Sequence, residues 1–109
     1  MNLENYMEIN LNSKYMVKVG GFDYKKSTNP KKKLMVVVEK GGRKKTIHFG
    51  DRNLDHFKDK TGIWKSKDHG DPQRRKNFLN RSAGIKDKSG KPTKDDPFSA
   101  NYHARRILW

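Results

Sequence analysis

Two short runs of β-forming residues flank a pair of glycines near the middle of the chain. The first run is Leu34–Glu39, the second is Lys44–Phe49, and a Lys-Gly-Gly-Arg sequence at 40–43 lies between them. Glycine reaches the positive φ angles that a tight two-residue hairpin turn requires. On the second run, Ile47 and Phe49 alternate with polar residues, which is the period of a half-buried strand. The pattern predicts a β-hairpin with one buried face and one wet face.

One further strand is predicted before this hairpin. Residues 14–19 predict a short strand that ends at Gly20 and Gly21. Residues 23–33 are mostly polar and contain Asn29-Pro30 and three consecutive lysines, which indicates a loop. The β part of the chain would then be a small sheet of about three strands, preceded by an N-terminal extension at residues 1–13.

Helical signals replace β signals after Gly50. Residues 53–60 predict one or two helical turns, and residues 61–70 are irregular. Asp71-Pro72 predicts a helix that ends at Gly84, because Asp is a good N-cap and Pro suits the first helical position. Asp96-Pro97 repeats this start after a Lys-rich loop at 85–95. The chain is therefore expected to be α+β: a single domain over residues 14–109, with the sheet followed by two or three short helices.

The charge balance restricts the partners that the chain can have. It contains 26 Lys and Arg against 12 Asp and Glu, a formal net charge of +14. Such an excess recruits nucleic acid, anionic membranes or acidic protein surfaces. With 31% hydrophobic residues in 109, the core must be small, and a partner would add order. The absence of Cys excludes disulfides and thiolate zinc sites, and no apolar run is long enough for a membrane anchor.

Two groups of cationic side chains are candidates for contact with nucleic-acid phosphates or with an acidic protein surface. One group surrounds the hairpin and the other lies on the helix that starts at Pro72. Each has an ordinary alternative: loop lysines that protect a sheet edge, or arginines paired with Asp68, Asp71 or Asp87. The candidates are Lys31, Lys32, Lys33, Lys40, Arg43, Lys44, Lys45, Arg74, Arg75 and Arg81.

The apolar C-terminus is a candidate docking element. An exposed Ile-Leu-Trp end would be a sticky patch, so we expect it to pack on the hairpin or on a partner. The aromatic residues nearby could stack on nucleobases, but a core this small needs most of them for itself. The docking candidates are Phe98, Tyr102, Ile107, Leu108 and Trp109.

The histidines give little indication of catalysis. His48, His56, His69 and His103 lack the spacing of metal ligands, so surface or capping roles are the simpler interpretation. Catalysis also needs perturbed groups in an enclosed pocket, which a small core can hardly form. The sequence therefore predicts a protein that is not an enzyme and that uses no cofactor or metal ion.

Three motifs occur in a familiar order. They are Thr46-Ile-His-Phe-Gly50, the His69-x-Asp-x-x-Arg-x-x-x-Phe-x-x-Arg81 stretch, and Tyr102-x-x-Arg-Arg-Ile-Leu-Trp109. In this order they resemble a family of small, basic proteins of large DNA viruses and some phages, over roughly residues 33–109. The chain departs from the family in having Gly70 where Lys is usual and in its longer loop before the last helix. Since the family has no settled activity, the resemblance implies a viral protein that is carried in the particle, and it implies no particular chemistry.

Charge and resemblance together predict a minor structural protein of a viral particle. It would act as a basic adhesive to capsid proteins, to the packaged genome or to both, and it would be located in the virion capsid or otherwise inside the infected host cell. The alternative is a nucleic-acid-binding protein of the infected cell without sequence specificity. A nuclease that uses His48 or His69 is a distant third.

Overall fold

The computed structural model describes residues 16–109. The N-terminal extension predicted at 1–13, and the first two residues of the strand predicted at 14–19, lie outside the described residues. Four strands form one antiparallel sheet in the order β1-β2-β3-β4, so that each strand pairs with the next along the chain. The strands are β1 (Val17–Val19), β2 (Phe22–Lys26), β3 (Lys32–Lys40) and β4 (Arg43–Asp51).

The predicted hairpin is confirmed as β3 and β4. Lys40 pairs with Arg43 across the turn, and Val36 pairs with Ile47. Gly41 and Gly42 have φ angles of 60° and 78°, which are the positive values of a type I′ turn. Since this turn matches the natural twist of two strands, the local sequence is sufficient to set the register.

The loop predicted over residues 23–33 is wrong for most of its length. Residues 22–26 form β2, and β3 already begins at Lys32. The cause is Tyr24, which is fully buried and lies in register between Val17 and Val36. One large buried aromatic side chain outweighs its polar neighbours, and the sheet gains a fourth strand.

The core lies on one face of the sheet and includes the end of the chain. Ile107 and Leu108 are each 1% exposed and pack against a cluster of strand residues. The C-terminus therefore docks onto the sheet, which was one of the two predicted alternatives. The strand residues of the cluster are Tyr24, Leu34, Val36, Val38, Ile47 and Phe49.

Two helices follow the sheet, α1 (Pro72–Ser82) and α2 (Ala100–Ile107). The predicted start of α1 is confirmed, because the Asp71 side chain accepts hydrogen bonds from the first backbone amides of the helix. The predicted start of α2 is wrong by three residues. Ser99 caps α2, whereas the Asp96 carboxylate closes the preceding turn by accepting from the Phe98 amide at 2.9 Å.

The helical turns predicted at 53–60 are also wrong. The amide of Lys58 donates to the Leu108 carbonyl at 3.1 Å, and the amide of Lys60 donates to the Ile107 carbonyl at 3.0 Å. These bonds to the distant C-terminus replace the bonds of a helix. Short 3-10 turns occur at Lys65–Lys67 and Thr93–Asp95, and the α+β class is confirmed with four strands instead of about three.

Candidate binding surfaces

The β3–β4 turn carries an exposed group of cations, which we call the hairpin tip: Lys40, Arg43, Lys44 and Lys45. The Arg43 guanidinium lies over the Phe98 ring at 4.2 Å from its centroid. The Lys45 ammonium donates to the Phe98 carbonyl at 3.4 Å. These contacts hold two of the four cations on one side of the tip and leave Lys44 directed to solvent.

The three consecutive lysines do not belong to the hairpin tip. Lys32 pairs with Asp51 and Lys40 pairs with Arg43, so the two groups lie at opposite ends of β3. Nine residues of strand separate them by roughly 26 Å. Lys31 is exposed and Lys32 is half-buried, and they lie at the end of the sheet where β4 ends.

Lys33 was predicted as a surface contact, and that prediction is wrong. Its side chain is 1% exposed, and its ammonium donates to the Leu54 carbonyl and to Nδ1 of His56 at 2.9 Å. Burial, and to a smaller extent the nearby charge of Lys67, lowers the pKa of the Lys33 ammonium. Lys33 therefore holds the chain together internally.

His56 continues this buried chain of polar groups. Its Nε2 lies 2.6 Å from the Asp68 carboxylate, and the same carboxylate oxygen accepts from the Asp59 amide at 2.8 Å. Because Lys33 donates to Nδ1, the imidazole is neutral and carries its proton on Nε2. Burial, followed by the charge of Lys33, lowers the pKa of His56. The cluster fixes residues 54–68 against the sheet.

The predicted surface or capping role of the histidines is therefore wrong for two of the four. His56 is 1% exposed and His103 is fully buried. His103 hydrogen bonds to the Tyr24 hydroxyl at 2.8 Å and to the Pro97 carbonyl at 2.6 Å, and burial lowers its pKa. His69 does not cap α1, since Asp71 has that role, but its Nδ1 accepts from the Asp71 amide at 2.9 Å.

The candidate arginines of α1 are all exposed. Arg75 is anchored, because its Nε donates to the Trp109 carbonyl at 2.7 Å. Arg74 and Arg81 form no ion pair with any carboxylate of residues 16–109. The alternative pairing of these arginines with Asp68, Asp71 or Asp87 is not realised in this part of the chain.

A cleft of about 490 Å³ lies beside α1, where the helix faces the end of β4 and the C-terminus. We call it the α1 cleft. Its volume falls within the range of ligand-binding pockets, although the sequence suggested that so small a core could hardly form one. The residues that line it include Lys33, Asp51, Leu54, Asp55, Arg74, Asn77, Phe78, Arg81 and Trp109.

The predicted docking residues have partners within the fold. Trp109 stacks on Phe78 with ring centroids 4.3 Å apart and planes at 10°. Tyr102 packs edge-on against Phe22, and Phe98 lies under Arg43. Like Ile107 and Leu108, these side chains stabilise the fold, and their packing explains why they are only partly exposed.

Sequence reasoning missed Leu54 and Asn77 as residues of the α1 cleft. Leu54 is 61% exposed, and it belongs to the segment 53–60 for which helical turns were predicted. Only the hydrogen bonds of residues 58 and 60 to the C-terminus reveal that no helix forms there. Arg52 was also missed; it donates to the carbonyls of Ser27, Asn29 and Lys32 and so closes the β2–β3 turn.

Comparison with protein-family models, curated proteins and solved structures gave no match to this chain. Among residues 16–109, no three side chains of the metal-binding types come together. In the same part of the chain, no helix has the length and apolar character needed to cross a membrane. The charges and the geometry of the described residues are therefore the features that indicate a function.

Proposed function

We propose that this protein is a non-enzymatic, basic adhesive of a viral particle, located in the virion. It binds the acidic surface of capsid proteins, the packaged nucleic acid or both. The resemblance of its three motifs to small viral proteins supplies the viral context. The charge distribution supplies the mechanism.

The observation that carries this proposal is that acidic and basic side chains of the described residues differ in the partners they have. Several carboxylates of the described residues are engaged in local structure: Asp59 accepts from the Thr61 and Trp64 amides, Asp71 caps α1, and Asp87 closes a turn. The exposed cations of the hairpin tip and of α1 have no carboxylate partner within residues 16–109. In residues 16–109, only Lys94 among the lysines and arginines forms an ion pair, at 3.9 Å from Asp95. The positive field is therefore directed outward.

The two cationic surfaces are well separated, which favours bridging over simple coating. The hairpin tip and the arginines beside the α1 cleft lie near opposite ends of β4, roughly 26 Å apart by strand length. A rigid scaffold with two contacts gains avidity when both contacts are engaged. Such a protein would link two neighbouring anionic surfaces.

The location is tested by quantitative mass spectrometry of gradient-purified particles from cells that express the gene. A fixed copy number per particle is expected. Absence from the particles, with the protein present in the infected cell, would refute the structural role.

The second candidate is a nucleic-acid-binding protein of the infected cell without sequence specificity. The exposed hairpin tip favours it, because closely spaced lysines suit phosphate contacts. Replacement of Lys44 and Lys45 by Glu should then weaken the binding of a random-sequence duplex strongly. Unchanged duplex affinity would eliminate this candidate.

A further inference from the structure

The α1 cleft combines two apolar side chains, Leu54 and Phe78, with two exposed arginines. Arg74, Phe78 and Arg81 are spaced by four and three residues and so share one face of α1. Opposite them, Leu54 exposes 61% of its surface on the rim. The cleft therefore presents an apolar centre between two guanidinium groups.

The walls of the cleft are fixed before any partner arrives. Trp109 stacks on Phe78, and Leu108 fills the space where Gly50 lacks a side chain, at 2.7 Å from the position of a Cβ atom. Asp71 caps the first turn of α1. A preformed site loses little conformational freedom when it binds.

The charges around the cleft discriminate between partners. Arg74 and Arg81 are exposed and pair with no carboxylate of the described residues. Asp51 and Asp55 lie on the opposite side of the cleft. A phosphate backbone would bring its dense negative charge close to these two carboxylates. It would also leave Leu54 and Phe78 without an apolar partner. A peptide can place its carboxylates at the arginines alone.

We propose that the α1 cleft binds an extended acidic segment of a partner protein, with an apolar side chain between two carboxylates. This inference rests on the proposed function and specifies protein as the partner at this surface. Arg74 and Arg81 are seven residues apart, about 10 Å along the helix axis. In an extended peptide, residues i and i+4 are about 13 Å apart and point to the same side as residue i+2. The two long arginine side chains span this small difference, and residue i+2 meets Phe78 and Leu54.

The probe is the blocked peptide Gly-Glu-Ser-Leu-Ser-Glu-Gly, titrated into the full chain at low salt while the backbone amides of Leu54 and Asn77 are followed by NMR. Arg74→Gln with Arg81→Gln should weaken binding at least about tenfold, because two charge-assisted contacts are lost. Lys86→Gln with Lys88→Gln is the matched control, since it removes the same charge from an exposed loop, and it should change the affinity less than about twofold. Replacing the peptide's Leu by Ser should cost at least about fivefold.

Several results would overturn the docking proposal: no binding of the peptide, equal binding of the Leu→Ser peptide, or unchanged affinity in the Arg74→Gln, Arg81→Gln variant. Tighter binding of a random-sequence duplex at the same amides, lost in the same variant, would assign the cleft to nucleic acid instead. Retention on heparin separates this from the wider account. If the chain binds heparin and elutes with salt but does not bind the peptide, only the docking site is refuted. If heparin does not retain the chain, the adhesive function is refuted.

Discussion

Gly50 gives the sharpest test of how the C-terminus closes the fold. Its φ is +80°, and a Cβ atom there would lie 2.7 Å from Cδ1 of Leu108 and 3.3 Å from Cβ of Lys33. Gly50→Ala therefore adds two costs. The left-handed backbone costs about 1–2 kcal/mol for a residue with a side chain, and the overlap with a packed core costs about 1–3 kcal/mol.

The matched control is Gly90→Ala. Gly90 also has a positive φ, +86°, but no atom lies within 4 Å of its Cβ position. The control should lose only the backbone contribution, about 1–2 kcal/mol. Urea unfolding followed by circular dichroism measures both variants, and Gly50→Ala should be the less stable by about 1–3 kcal/mol.

A double-mutant cycle identifies the source of this difference. Leu108→Ala alone should cost about 2–5 kcal/mol because it empties a buried site. In the Gly50→Ala background the same change should cost less, since it also removes the overlap. Equal losses of stability in Gly50→Ala and Gly90→Ala, or strict additivity in the cycle, would show that Leu108 does not lie against Gly50.

Burial lowers the pKa values of His56 and His103, so as the pH falls the unfolded chain takes up these protons before the folded chain does. The free energy of unfolding should therefore decrease as the pH falls below about 6.5. A urea midpoint that stays constant between neutral pH and about pH 5 would contradict this. Lys44→Gln with Lys45→Gln should reduce the slope of log affinity for a duplex against log salt concentration by about two units. The free energy of unfolding should change by no more than about 0.5 kcal/mol. An unchanged slope would exclude the hairpin tip as a phosphate contact. Asp71→Ala should cost about 1 kcal/mol of stability, because α1 loses its cap; urea unfolding equal to that of the unchanged chain would contradict the cap.

Elements with local determinants were predictable from the sequence. The hairpin depends on Gly41 and Gly42, and the start of α1 depends on Asp71 and Pro72, so each can be recognised within a few residues. The start of α2 was missed because Ser99 and Asp96 are both good caps: Ser99 caps the helix, whereas Asp96 closes the preceding turn.

Elements that depend on distant contacts were not predictable. β2 forms because Tyr24 is buried between two strands, and its neighbours in sequence are polar. Residues 53–60 avoid a helix because the C-terminus supplies their hydrogen-bond acceptors. Composition contains no information about either contact.

The candidate surfaces show the same division. The exposed cations of the hairpin tip and of α1 follow from sequence, because charged residues on turns and helix faces meet water. The burial of Lys33 does not follow, since it requires His56 and the Leu54 carbonyl to lie beside it. Nor does the α1 cleft, which unites β4, α1 and the last residue of the chain.

The central proposal is that exposed cations without carboxylate partners among residues 16–109 provide the adhesion. Its most direct test is the affinity of the full chain for polyglutamate and for a random-sequence duplex, measured as the salt concentration rises from about 50 mM to about 200 mM and then to molar levels. We expect the affinity for both polymers to fall steeply, by several-fold or more over the first interval, and to vanish in molar salt. Binding that persists undiminished in molar salt would contradict the claim.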